Sequence, residues 1–365
     1  MKRCRRSIFF VLLLLCTALF AMPVSAEPKF VLKLGHAVPE ENAYHYGAVR
    51  FKELVEERTQ GNVKIDIFPN NQLGTGERDI LEGLQLGTID MYVGSTGPVG
   101  GFEKRFLIFD FPFLFQNKAH VYSVLDGEIG RHILGLLESK GIRGLAWMEN
   151  GFRNLTNSKR PVNGLGDIAG LKIRTQENKV HMAMWRLLGA DPTPMAWSEV
   201  FTALQQGTID GQENPIPVIY TSKLFEVQKY LALTQHVFSP AMIAVAQPVF
   251  MSLPKEYQTI FMAAAQEAAL YQREVCDKME HEYIETLKKN GMEVTTPDIE
   301  PLREASPGLF LAHTLQRRSY ILRKKKARFH AHFFNCLFDF IYRNSSHDFT
   351  SQNHFLHKFH GDFFP

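Results

Sequence analysis

The sequence predicts an α/β protein of two similarly built lobes around a shared cleft, and three observations carry that prediction. After Glu27, strand-like and helix-like patches alternate along the chain, the pattern of an α/β architecture. The segment Leu84-Gln85-Leu86-Gly87-Thr88-Ile89-Asp90 returns as Leu204-Gln205-Gln206-Gly207-Thr208-Ile209-Asp210, with six of seven positions identical. Both copies read as a helix end, a glycine cap and a following strand. Residues 254–290 then give a helical pattern with Pro254 in the first turn and Gly291 past the end. Such a run, about 54 Å long at 1.5 Å per residue, can brace two lobes at once, and a kinked pair of helices is the alternative.

The elements follow in order. Residues 29–35 (KFVLKLG) predict a strand and residues 40–60 a helix. Residues 63–68 (VKIDIF) alternate as a second strand that Pro69-Asn70-Asn71 breaks. A helix over 77–86 leads to a short strand over 89–93. The grammar repeats with a strand over 171–174 (LKIR), helices over 178–188 and 198–206, and a strand from Ile209. In open α/β sheets ligands bind beyond the carboxyl ends of the strands. Residues 92–97 and 211–217, just past the two echoes, should therefore face one cleft.

The chain ends differ from the body. Among 365 residues, Lys2, Arg3, Arg5 and Arg6 precede an apolar run over 8–22, and Val24-Ser25-Ala26 has the small-residue pattern of a signal-peptidase site. Residues 1–26 are read as a cleavable signal peptide, which places the mature chain, from Glu27, in the periplasm. Residues 306–365 hold nine Lys/Arg against three Asp/Glu, seven of the 14 His and eleven of the 29 Phe. No amphipathic period organises them, so they are read as an aberrant or frameshifted tail that binding does not need. A basic or metal-touching tail through His330 and His332 is the alternative. The remaining body, 27–305, carries 28 bases against 35 acids, which excludes the basic face of a nucleic-acid binder.

Catalytic chemistry finds no foothold. Only Cys276 and Cys336 remain after signal removal, and no CxxC or HExxH occurs, so neither a disulfide framework nor a metal or other cofactor is expected. Gly94-Ser95-Thr96-Gly97 is not a GxSxG elbow, and Gly74-Thr75-Gly76 lacks the lysine of a phosphate loop.

Five motifs appear in order: Asn70-Asn71-Gln72-Leu73-Gly74, the run from Glu82-Gly83 to Asp90-Met91, Ser95-Thr96-Gly97-Pro98, Gly170-Leu171-Lys172-Ile173-Arg174 and Gly211-Gln212-Glu213-Asn214-Pro215. Together the chain resembles the solute-binding proteins of TRAP transporters, the DctP family, over residues 29–305. The resemblance implies a two-lobed periplasmic-binding-protein fold with a hinged cleft and a long helix across both lobes. It implies capture of an organic acid and delivery to the membrane subunits of a permease, by a monomeric protein that is not an enzyme. The lobes are expected at 27–150 plus about 240–277, and at 151–239 plus about 278–305.

Arg174 ends the LKIR strand, where its planar guanidinium can meet a carboxylate bidentately. The resemblance makes it the carboxylate-binding arginine. Arg153 resembles a second arginine near the carboxylate, with a loop salt bridge as the alternative. Asn214 suits a hydroxyl or carboxylate oxygen, against a turn role before Pro215. Trp197 resembles an aromatic that packs on ligand, and Glu77 a ligand-facing carboxylate, against a core tryptophan and a helix-start charge. His36, Ser95 and Thr96 are candidates by position. A polar lining with one arginine fork favours a sugar acid such as a hexuronate. A C4-dicarboxylate receptor and a ligand-presenting sensor subunit are the alternatives.

Overall fold

The computed structural model describes residues 27–306, so the expected signal peptide and all but the first residue of the expected tail lie outside the described residues. The first lobe begins with β1 (Phe30–Gly35), α1 (Ala43–Arg58), β2 (Val63–Phe68), α2 (Glu77–Leu86) and β3 (Met91–Ser95). Helices α3 (Lys118–Leu125) and α4 (Glu128–Gly135) lead into the 16-residue strand β4 (Ile142–Asn157), which runs on into the second lobe. That lobe contains β5 (Lys172–Thr175), α5 (Lys179–Leu187), β6 (Asp191–Pro194), α6 (Trp197–Gln205), β7 (Gly211–Asn214) and α7 (Ile216–Thr221). The 17-residue β8 (Tyr230–Ala246) returns the chain, followed by α8 (Gln247–Ser252), α9 (Lys255–Lys289), β9 (Glu293–Thr295) and α10 (Glu300–Ala305).

All nine strands form one mixed sheet in the order β2-β1-β3-β8-β4-β7-β5-β6, with β9 beside β8. Each lobe contributes three parallel strands, β2-β1-β3 and β7-β5-β6, and the long antiparallel pair β4–β8 joins them. The two echoes are equivalent in space. Gly87 and Gly207 both adopt left-handed φ, 72° and 70°, a conformation glycine takes without a Cβ penalty. Asp90 and Asp210 then turn back on the neighbouring strand, accepting the Lys33 and Lys172 amides at 2.7 and 2.9 Å.

Helix α9 is one continuous element of 35 residues. Near its start, Phe261, Ala264, Ala265 and Ala268 pack with Phe51 and Leu54 in the first lobe, and near its end Leu287 joins Val200, Ile219 and Leu231 in the second. Between them α9 passes the crossing of β4 and β8. There Asn150 is an extra residue, because Glu149 pairs with Pro240 and Gly151 with Ser239. A bulge of this kind bends a strand pair locally.

Candidate functional site

The cleft lies between the carboxyl ends of the two parallel half-sheets. Its walls include Ala37, Val38, Tyr44, Glu77 and Ser95 from the first lobe. Arg174, Gln176, Trp197, Asn214 and Val218 come from the second, and Asn150 from the bulge between them.

Arg174 is 4% exposed at the end of β5. Its Nε and Nη2 donate to the Met195 carbonyl at 3.0 and 2.7 Å, and its guanidinium lies 5.3 Å from the Trp197 ring centroid. The carbonyl and the indole hold the fork in place, and Nη1 makes no hydrogen bond among the described residues. Burial, helped by the nearby Arg153 charge, pushes Arg174 down to about 10, while Glu213 and Glu77 oppose the shift.

Glu77, the first residue of α2, faces Arg174 across the cavity and accepts three hydrogen bonds: from Ser95 N and Oγ at 2.6 Å each, and from Gln176 Nε2 at 3.0 Å. Burial raises its pKa, against the lowering effect of the Ser95 bonds. An ionised carboxylate offers about four lone-pair sites, and the Tyr92 side chain stands at the fourth. The Tyr44 hydroxyl is buried in the cavity wall with no hydrogen-bond partner among the described residues. Asn214 is engaged at both ends, accepting from Arg153 Nη2 at 3.2 Å and donating one amide hydrogen to Gln212 at 2.6 Å, which leaves one N–H.

Three expected residues are placed elsewhere. Arg153 sits on a strand, not a loop, is fully buried, and is not in the cavity wall. Its Nε and Nη2 grip the Glu213 carboxylate, with Nη2 to Oε1 at 2.9 Å. Burial alone would raise the pKa of Glu213, but Arg153 and the His236 hydrogen bond hold it far below the ordinary carboxylate range. His36 turns away from the cleft, where Ala37 and Val38 stand instead, and its Nε2 lies 3.1 Å from His45 Nδ1. Thr96 is also buried off the cavity, its hydroxyl donating to the Pro240 carbonyl at 3.2 Å. Expectation had overlooked Tyr44, Asn150 and Gln176. The two-residue strand period was a usable signal for Gln176, which follows Arg174 by two.

The lobes are closed on each other. Ser198 N donates to the Thr75 carbonyl at 3.1 Å, Asn42 Nδ2 to Thr221 Oγ1 at 3.1 Å, and Arg78 approaches Glu177 at 3.9 Å. No helix among the described residues is long and apolar enough to cross a membrane.

Two lobes shut over a small polar cavity with one seated guanidinium make a solute-binding receptor. The chain belongs to the DctP family, described as bacterial extracellular solute-binding protein family 7, whose family model matches residues 34–312. It is 37% identical over 291 residues to the 2,3-diketo-L-gulonate-binding periplasmic protein YiaO of Escherichia coli K12, covering 80% of this chain and 88% of that one. It is similar to a crystal structure of a TRAP periplasmic solute-binding protein from Polaromonas sp. JS666 bound to D-erythronate. The TM-score is 0.78 at 44% identity, covering 84% of this chain and 98% of that one. A second such structure, from Bordetella bronchispeptica with density interpreted as pantoate, gives a TM-score of 0.78 at 41% identity, covering 85% and 99%. The protein is thus the solute receptor of a TRAP-type transporter, a transport protein and not an enzyme, in an extracytoplasmic family whose members work with a membrane permease.

Proposed function

We propose that the cleft captures a monocarboxylate bearing several hydroxyls, an aldonate or hexuronate, and presents it to the permease from the periplasm. The arrangement of Arg174 opposite Glu77 carries this reading, because among the described residues they are the only charged side chains in the cavity wall. A ligand carboxylate meets the Nη1 edge of Arg174, which makes no hydrogen bond among the described residues. The far end of the ligand meets Tyr44, whose hydroxyl lacks a partner among the described residues, beside the Glu77 carboxylate. A second carboxylate there would face Glu77 with no further cation in the wall. Ser95 serves by holding Glu77, Asn214 through its free N–H, and Trp197 by stacking on Arg174. Arg153 acts from behind the wall, holding Asn214 and Glu213. The relatives named above carry a hydroxylated or keto monocarboxylate in their descriptions, which supports the same class.

The lobes we infer are 27–150 with about 240–277, and 151–239 with about 278–305. The bulge at Asn150 opposite Ser239 and Pro240 supports both strand boundaries. The test is calorimetric titration with D-galactonate, D-glucuronate, D-erythronate and succinate. At least one hydroxylated acid is expected to bind tenfold or more tightly than succinate. Succinate binding as well as the best of them would overturn the class.

A further inference from the structure

The two lobes also meet at a residue outside the cavity wall. Gly97 follows Ser95 and Thr96 at the exit of β3. Two side chains from the opposite lobe converge on it. Asn178 Nδ2 donates to the Gly97 carbonyl at 2.9 Å and to Asp110 Oδ2 at 2.7 Å. The Gln176 amide lies directly over the Gly97 Cα, so that a Cβ there would stand 2.2 Å from Gln176 Oε1 and 2.8 Å from its Cδ. Gln176 is only 7% exposed, and its Nε2 is committed to Glu77 Oε2 at 3.0 Å and Ser95 Oγ at 2.7 Å. The amide therefore cannot swing aside without surrendering both bonds across the cleft.

We propose that Gly97 is a positioning residue for ligand capture: its missing side chain is the seat into which Gln176 of the second lobe docks, and this seat sets how far the lobes close. The inference rests on the acid-binding reading above and names the contact that converts binding into closure. When the lobes meet, Gln176 brings two donors to Glu77 and Ser95 and so completes the wall that a ligand hydroxyl touches. An alanine at 97 displaces that amide. The open protein is unaffected by the clash, because Gln176 and Gly97 belong to different lobes. Affinity falls because the binding-competent closed state is reached less often.

The test compares wild type, Gly97→Ala, Gln176→Ala, the double variant and Gln176→Met, with D-galactonate as probe and succinate and D-galactose in parallel. Calorimetry gives affinity, and small-angle scattering gives the compaction that the probe causes. Gly97→Ala should bind tenfold or more weakly and stay at its ligand-free radius at the concentration that compacts wild type. The double variant should bind no more weakly than Gln176→Ala, because the clash needs both partners. Gly97 precedes Pro98, which restricts an alanine's backbone. Gln176→Met therefore supplies a variant with an untouched backbone, expected about tenfold weaker and less compacted. Wild-type affinity and compaction in Gly97→Ala, or independent, multiplying effects in the double variant, would overturn the proposal. So would a wild-type response in Gln176→Met where Gly97→Ala does not fold. Should only succinate or galactose bind wild type, the polyhydroxy-acid reading falls, and that solute carries the same comparison.

Discussion

Gln272 on α9 clamps the backbone of Glu149 with both ends of its amide: Oε1 accepts from Glu149 N at 2.9 Å, and Nε2 donates to the Glu149 carbonyl at 2.7 Å. One side chain thus supplies, at the bulge between the lobes, the two bonds that a neighbouring strand would otherwise make.

Removing that clamp should be costly. Gln272→Leu leaves a buried N–H and a buried carbonyl without partners, at about 1–3 kcal/mol each. We expect a loss of about 2–6 kcal/mol in urea unfolding. A change below about 1 kcal/mol would mean that the bulge finds other partners.

Arg174→Ala should abolish most binding and leave the fold intact. Truncating one partner of a buried charge pair costs about 2–5 kcal/mol, or about 30-fold to several thousand-fold in affinity. Arg174→Lys keeps charge but loses the fork, and should recover part of the loss. Titration of the best-binding acid, with circular dichroism as the folding control, decides this. Unchanged affinity would remove Arg174 from the site.

Glu213→Gln strands the buried Arg153 guanidinium. Breaking such a pair costs about 3–5 kcal/mol, and at about 2–4 °C per kcal/mol for a chain of this size the melting temperature should fall by at least about 6 °C. Replacing both partners by apolar residues of similar volume should recover much of it. A single variant that melts with wild type would contradict the buried pair.

Acidification should destabilise the protein through His36. Burial, and then the neighbouring His45, lower its pKa to about 3 from the ordinary 6.5. The unfolded chain therefore takes up a proton below pH 6.5 that the folded chain refuses, so stability falls as pH drops from 6.5 toward 3. Between pH 6.5 and 5 this amounts to roughly 2 kcal/mol. His45 and His236 shift in the same direction, also chiefly by burial. His36→Gln should flatten the melting-temperature profile over that interval by roughly 4 °C. An equally steep profile in the variant would assign the acid loss to other groups.

Sequence reading reached the regular elements with clear periods. β2 and α2 fall at the expected residues, since one face of each is apolar and the other polar. β3 starts two residues later than expected because Ile89 packs against Gly83 and Asp90 turns back to the Lys33 amide. The long strands β4 and β8 escaped reading: nearly every residue is covered on both faces, so no alternation survives. Their Gly144, Gly151 and Pro240 also look like breakers. Arg174, Glu77, Ser95, Trp197 and Asn214 were placed at the cleft from strand ends and family motifs. Arg153 was harder, because its partner Glu213 lies 60 positions away and only the β4–β7 pairing unites them.

The shared strands also order the events of biosynthesis. Thr96, just past β3, bonds to Pro240 in β8, 144 positions further along. The first lobe therefore cannot complete its sheet until most of the chain has been made, and β3 waits with an open edge that any other strand could occupy. Contacts of such long sequence separation fold slowly. The same topology that lets one sheet serve two lobes thus leaves the nascent chain dependent on being held apart from other nascent chains until β8 arrives.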